Sequence, residues 1–398
     1  MAKSKVAVLK VTPETVLTGI ARACELGGMR AALVADRATV LQDDLSWRFP
    51  FPAANTTPWQ LEGTILALRA AGFEELACVR GETAMARALE PGDADPSFSG
   101  AVCDAHGVPL LHAFKDDEVR WALYSPKARM HVLGKVFPDG IHVPDVFFGK
   151  NAVQLPTMKT HVYTTVAGAM KCAFGGTLPR DRQRASSSIH KALVDVLAIQ
   201  REIHTGLFAV MDGTTAGSGP GPRTMTPVVK DYVLAGADPV ALDAVAAKMM
   251  GFDPMALEFI RLAHEDRLGV GDPRDIDVVG DDAAATDEAR RESWGFRVGS
   301  NGASVIGDAL AALSSGPLRR FEKLVFRAPF RGALAAGNEA YHDLYRWPLK
   351  DRRTFESWKR ETAWGRLFAA YERGEADRVT RRAAVAAPAH KSATQAHL

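Results

Sequence analysis

A chain of 398 residues carries 49 Lys and Arg against 47 Asp and Glu, with 47% hydrophobic and 24% charged residues. That composition excludes a mainly disordered, collagen-like or disulfide-framework protein. The near-neutral sum hides an asymmetry: residues 1–315 hold 32 basic and 38 acidic side chains, whereas residues 316–398 hold 17 and 9.

In chain order, Val6–Val11 alternates as a strand. Glu14–Leu26 follows as a helix, with Thr12 as cap, Pro13 at its first position and Gly27-Gly28 as its stop. Ala31–Val34 and Thr39–Leu41 are short apolar runs of strand character. Thr57 caps and Pro58 opens a helix through Ala71, ended by Gly72, and Leu76–Arg80 returns as a strand. This alternation predicts an α/β fold, a mostly parallel sheet with crossover helices. Val143–Phe148 and Ala152–Leu155 read as strands, Thr160–Cys172 as a helix, and Ser188–Thr205 as a long helix. Leu207–Met211 reads as a buried strand delivering Asp212 to its end, and Val228–Ala235 as another strand. Asp238–Met250 reads as a helix with Asp238 as cap and Pro239 at N1, and Ile276–Val279 as a late strand. Residues 281–292 read as an exposed connection or short helix. The division expected is an N-terminal α/β part over 1–150, a second α/β part with the candidate site over 151–315, and a helical extension over 316–398.

The four cysteines, Cys24, Cys78, Cys103 and Cys172, are too scattered for a CxxC pair. They read as reduced, buried thiols of a cytoplasmic protein. The N-terminus has no apolar signal-peptide core, and no stretch is long and apolar enough to span a bilayer.

Three constellations can carry chemistry. In the first, Leu155-Pro156-Thr157-Met158-Lys159-Thr160-His161 follows an apolar strand. Ligands of parallel α/β sheets bind beyond the carboxyl ends of strands. There Lys159 can hold an anion, His161 can exchange a proton, and the backbone at Thr160 can donate to a phosphate or carboxylate. Lys171 is expected about three turns along the same helix, on a similar face. The second is the Gly- and Pro-rich run from Asp212 through Gly219 to Pro222, where glycines permit close approach to a ligand. Asp212 is the candidate to orient the histidine or bind a metal. The third is Asp238 to Asp243, in which Asp243 is not a cap and leans toward the site. His190 and Arg180, Arg182 and Arg184 lie between the first two, on a basic connection able to fold over an anion. There is no nucleotide-binding glycine motif, and no histidine pair has metal-ligand spacing.

Five ordered pieces together resemble the domain of unknown function 362 family over roughly residues 1–280. They are LPTMKTH (155–161), the Lys and Gly of AMKCAFGG (169–176), His190, MDG…GSGPGP (211–222) and ADPVALDAVAAKMMG (237–251), with NTTPWQLEGTILALRAAG (55–72) also fitting. Several members of that family are fused to ferredoxin-type four-iron, four-sulfur modules. The resemblance therefore implies redox work, with any cluster on an iron–sulfur partner because this chain lacks the cysteines. Many members also carry a Lys-Pro-Asn triplet after the second strand, where this chain has Gln42-Asp43-Asp44.

Residues 316–398 hold 11 of the 31 aromatic residues. Phe355, Trp358, Leu367, Phe368 and Tyr371 have helical spacing. They are expected to pack on the acidic body; the alternative is contact with an anionic membrane. A pI near 8.3 argues against nucleic acid. From about Arg382 the chain is Ala-rich and expected to be disordered.

The functional expectation is an enzyme acting on a small carboxylated or phosphorylated metabolite by acid/base or redox chemistry. Its expected catalytic residues are His161, Lys159 and Asp212. Substrate contacts are expected from Thr160, Lys171, His190, Gly219 and Asp243. The alternative is a non-catalytic docking protein recruited by its basic tail.

Overall fold

The computed structural model describes residues 3–81, 95–280, 293–300, 337 and 340–380. β1 (Ser4–Lys10), α1 (Val16–Leu26) and the short α2 (Met29–Ala32) lead to β2 (Thr39–Asp43). α3 (Pro58–Ala70) leads to β3 (Leu76–Arg80), and α4 (Ser99–Ala105) to β4 (Leu110–His112). β5 (Trp121–Tyr124) and β6 (Ile141–Pro144) flank α5 (Leu133–Val136) and pair with each other. β7 (Asn151–Leu155), β8 (Thr157–His161) and β9 (Thr165–Ala167) precede α6 (Ala169–Thr177), a 3-10 segment over Arg180–Ser188, and α7 (Ile189–Ile203). β10 (Gly206–Ser218), β11 (Thr226–Gly236), α8 (Pro239–Met250), α9 (Glu258–Glu265) and β12 (Ile276–Val279) complete the body. A π-helix (Tyr341–Asp351), α10 (Arg352–Glu361) and α11 (Ala363–Glu372) follow.

The central sheet runs β12-β1-β11-β10-β7-β2-β3-β4. It is parallel except at β11, which is antiparallel to both neighbours. β8 adds alongside the far half of β10, and β9 folds back on β8. The sheet draws strands from both sides of residue 150, since β2 pairs β7 and β1 pairs β11. Period-two alternation assigns the faces. Val6, Val8, Ala209 and Met211 point toward the core under α6 to α9, and Ala7, Leu9, Phe208 and Val210 toward α1 and α3.

Cap chemistry sets several boundaries. Asp238 accepts from the Val240 and Ala241 N–H groups at 2.9 and 3.2 Å, Pro239 opens α8, and Gly251 ends it at φ 100°. The Thr57 N–H donates to Gln60 Oε1 at 3.2 Å as α3 begins.

Four sequence expectations are corrected. Ala31–Val34 is not a strand; Met29–Ala32 is a helical turn, and β2 runs on to Asp43. Val143–Phe148 stays extended only to Pro144, after which 145–147 form a 3-10 turn. Thr160–Cys172 is not one helix but the end of β8, a three-residue turn, β9 and the start of α6. The β-branched residues Val162, Thr164, Thr165 and Val166 favour this hairpin over a helix. Thr165 closes the turn at φ 65°. Finally, Leu207–Met211 does not end at Asp212. β10 continues to Ser218, with its pairing to β11 shifting between Gly213 and Thr215. Residues 281–292 and the segment beyond Arg382 lie outside the described residues.

The C-terminal extension packs on the body, as its aromatic spacing predicts. Phe355, Trp358, Trp364, Leu367 and Phe368 are buried in the same core as Trp59, Leu61 and Ile65. Polar edges fix the fit. Trp358 Nε1 donates to Thr215 Oγ1 at 3.2 Å, Trp364 Nε1 to Asp231 Oδ1 at 2.7 Å, and Trp47 Nε1 to Asp343 Oδ1 at 2.8 Å. Tyr371 donates its hydroxyl to the buried Glu62. Trp347 stacks on Phe49 with ring centroids 4.2 Å apart.

Candidate functional site

Beyond the carboxyl end of β2 and along β8 lies a cavity of about 300 Å³. β2 delivers Asp44 to its wall, β8 delivers Lys159 and His161, and the turn after β8 delivers Tyr163. Lys171 reaches it from the first turn of α6, Arg182 from the 3-10 segment and Arg223 from the β10–β11 connection. Four side chains of fixed basic type therefore face one carboxylate.

Lys159 is only 1% exposed, and its neighbours account for its ammonium protons. Nζ donates to Asp44 Oδ2 at 2.9 Å, the Ala54 carbonyl at 2.9 Å and Thr157 Oγ1 at 2.6 Å. An ammonium has three donors. Lys159 is thus a fixed charge behind the wall rather than a free hand for a ligand. Asp44 Oδ1 also accepts from Ser46 Oγ at 3.1 Å. Asp44, just beyond β2, therefore neutralises the lysine of the LPTMKTH segment.

His161 Nδ1 accepts from the Tyr163 and Thr164 N–H groups at 3.2 and 3.3 Å. Two backbone donors on one nitrogen assign the ring proton to Nε2. Burial, then the charges of Lys171, Lys159 and His190, holds the His161 pKa well below the usual histidine range. The resting imidazole is neutral and offers Nε2–H as a donor.

Lys171 makes no hydrogen bond or ion pair among the described residues; its ammonium sits 5.1 Å from the Phe174 ring centroid. Burial pushes its pKa down to about 8, and the Arg182 charge adds to the shift. Arg182 Nη1 donates to the Leu178 and Pro179 carbonyls at 3.2 Å each, and Arg223 Nε to the Ser46 carbonyl at 3.2 Å. Both guanidiniums, each a fork of N–H donors, border the cavity. Cys172 also borders the cavity, but burial pushes its thiol pKa well up, so it remains protonated.

The other candidate residues are not brought to this wall. Asp212 cannot orient His161 from where it stands. Its Oδ2 accepts from Thr57 Oγ1 at 2.5 Å and Trp59 Nε1 at 2.9 Å, and its Oδ1 from the Thr214 N–H at 2.7 Å. It lies mid-strand and ties β10 to the start of α3. Thr160 Oγ1 serves the Gly219 backbone instead of a ligand, donating to its carbonyl at 2.6 Å and accepting from its N–H at 2.9 Å. The glycines let the chain approach itself: a Cβ on Gly221 would meet the Thr160 carbonyl oxygen at 2.0 Å. His190 packs against Phe259, with ring centroids 5.9 Å apart. Asp243 acts at one remove, capping α6 through the Ala169 and Met170 N–H groups at 2.6 and 3.1 Å. Burial pushes its pKa up to about 7. A Cβ on Gly168 would meet Asp243 Oδ1 at 2.1 Å, so this glycine lets the carboxylate reach the helix that carries Lys171.

Ser46, Tyr163, Gln183, Ser186 and Arg223 also border the cavity, and the sequence alone does not mark them as ligand contacts. Arg223 had one signal, a basic side chain closing an otherwise uncharged Gly/Pro run. Among the described residues, no group of three or more His, Cys, Asp or Glu is placed to hold a metal ion. No described helix is long and apolar enough to cross a membrane.

The fold and cavity define the class: an α/β protein with a mostly parallel sheet and a cationic pocket at the carboxyl end of its strands. The family model for Domain of unknown function (DUF362) matches residues 39–248, more than half of the chain, and the chain belongs to that family. The match runs from β2 through most of α8 and contains every described residue that borders the cavity. No curated protein and no solved structure matches the chain.

Proposed function

We propose that the cavity binds a small carboxylated or phosphorylated metabolite and acts on it by acid/base chemistry. The observation that carries this reading is the charge of the wall. Among the described residues, Lys159, Lys171, Arg182 and Arg223 face it with Asp44 as the one carboxylate in opposition, and Asp44 is paired with Lys159. In a confined, low-dielectric site such a surplus favours an anion strongly. Arg182, Arg223 and charged Lys171 hold the anionic group. His161 donates Nε2–H to the reacting end, and a bound anion offsets the cationic repulsion that keeps the imidazole neutral. Redox chemistry, the other half of the family expectation, would need an electron carrier on an iron–sulfur partner.

The test begins with native mass spectrometry and metal analysis of protein purified without oxygen, to identify a copurifying anion. With that compound, His161→Gln is expected to keep affinity within about threefold while turnover falls roughly 10²–10⁴-fold, the range of general acid–base catalysis. Equal turnover in His161→Gln sinks the catalytic assignment.

A second reading rests on the π-helix. Leu344, Tyr345 and Leu349 are 76%, 58% and 59% exposed beside the exposed Lys350, Arg352 and Arg353. Apolar and basic side chains together suit an anionic membrane surface. That reading predicts cosedimentation with phosphatidylserine vesicles, weakened at least about tenfold by Leu344→Asp with Leu349→Asp. Equal sedimentation of the two proteins, or none by the unsubstituted one, removes it.

A further inference from the structure

We propose that Lys171 is an imine-forming lysine whose reaction partners are small anionic carbonyl compounds, aldehydes or 2-oxo acids bearing a phosphate or carboxylate. This rests on the anion-binding reading of the same cavity and extends it to the compound's reactive group.

Three observations point to Lys171 and away from Lys159. The first is availability. Lys159 is fully used by Asp44, Ala54 and Thr157, whereas Lys171 borders the cavity with no hydrogen bond or ion pair among the described residues. The second is its place in the fold. Lys171 is the third residue of α6, a nine-residue helix whose first N–H groups are taken by Asp243, and the partial positive charge left at a helix N-terminus disfavours an ammonium. Helix stability does not explain a lysine there, because cations are favoured at the opposite end. The third is its company. Arg182 and Lys159 bring further positive charge to the cavity, which Asp44 offsets only in part, and the nearest ring, Phe174, offers no anion. Burial and like charge are the arrangement that makes a lysine amine nucleophilic near neutral pH. The pKa of about 8 agrees with that geometry.

The step balances without an added oxidant or reductant. The neutral amine's lone pair forms a C–N bond to the carbonyl carbon as the C=O π bond opens, giving a carbinolamine. The C–O bond then breaks, and its oxygen leaves as water with the two amine protons. An imine that gains a proton withdraws electrons from the adjacent carbon. It therefore eases loss of a proton there, the class of chemistry proposed for this site. Arg182 and Arg223 hold the remote anion, which sets the carbonyl end toward α6.

The probe is pyridoxal 5′-phosphate, a phosphorylated aldehyde, applied at pH 8 to the full chain and followed by borohydride reduction and peptide mass mapping. At that pH about half of Lys171 is neutral, roughly a hundredfold more than an ordinary lysine. The expected result is stoichiometric labelling at Lys171, at least about tenfold faster than at exposed lysines. Excess inorganic phosphate should suppress the label, and Lys171→Arg should remove it. Calorimetry of inorganic phosphate binding runs in parallel on the same protein. Phosphate binding without labelling at Lys171 overturns the imine inference and leaves the anion reading standing. Absence of both overturns both. Labelling no faster than at exposed lysines, or indifferent to phosphate, also overturns the inference.

Discussion

Truncating the chain before Tyr341 is expected to unfold the α/β body. The extension buries Phe355, Trp358, Trp364, Leu367 and Phe368, all 7% exposed or less. Burial of a large apolar side chain contributes about 1.5–3 kcal/mol, so the five together contribute on the order of 10 kcal/mol. A domain's whole stability is about 5–15 kcal/mol. Truncation would also expose Trp59 and Phe98 and strip donors from Asp231 and Thr215. Glu62 would keep His106 Nε2, at 2.9 Å, but lose Tyr371. Trp364→Ala alone is expected to cost about 3–5 kcal/mol, the usual range for a buried Trp. Circular dichroism and urea titration measure both. A truncated protein that melts like the full chain would show the extension to be an appendage, which suits a detachable docking tail.

The second large effect is at Lys159. Lys159→Met is expected to destabilise the protein by about 3–5 kcal/mol, the cost of breaking a buried ion pair from one side. It removes the donor from the Ala54 carbonyl and the cation from Asp44. Because the Asp44 side chain is 19% exposed toward the cavity, water can recover part of the loss, which places the value near the lower end. Adding Asp44→Leu to Lys159→Met should restore part of the stability, since no uncompensated carboxylate then remains. An unfolding free energy from urea titration for Lys159→Met within about 1 kcal/mol of the unsubstituted protein, on the order of one ordinary hydrogen bond, would contradict the pairing.

These two sites show what the residues reveal in order and what they conceal. Helix α8 was legible because its signals are local: Asp238, Pro239 and Gly251 each act within one turn. Lys159 and His161 were legible as chemistry-bearing types after a strand. The partner that consumes Lys159, Asp44, lies 115 residues earlier. No local rule connects them. Lys171 reads from sequence as part of a helix starting at Thr160, which puts it near the site by the wrong route. In fact a hairpin intervenes, and α6 begins only at Ala169. Asp212 reads as a strand-end residue because Gly213 follows it. The long antiparallel ladder with β11 carries the strand through it, and tertiary pairing overrides the local preference. The aromatic periodicity of the extension was legible; its seats on Thr215, Asp231 and Glu62 were not.

The central claim, that the cavity is built for an anion, is tested most directly by calorimetric titration of inorganic phosphate. The paired proteins are the unsubstituted chain and the Arg182→Ala, Arg223→Ala double variant, each checked for folding by circular dichroism. One phosphate is expected to bind saturably to the unsubstituted chain. Charged hydrogen bonds contribute about 1.5–3 kcal/mol each, so the double variant should lose at least about tenfold in affinity. Affinity should also fall as pH rises past about 8, where Lys171 loses its charge. Absence of saturable binding, or equal binding by the folded double variant, would contradict that claim.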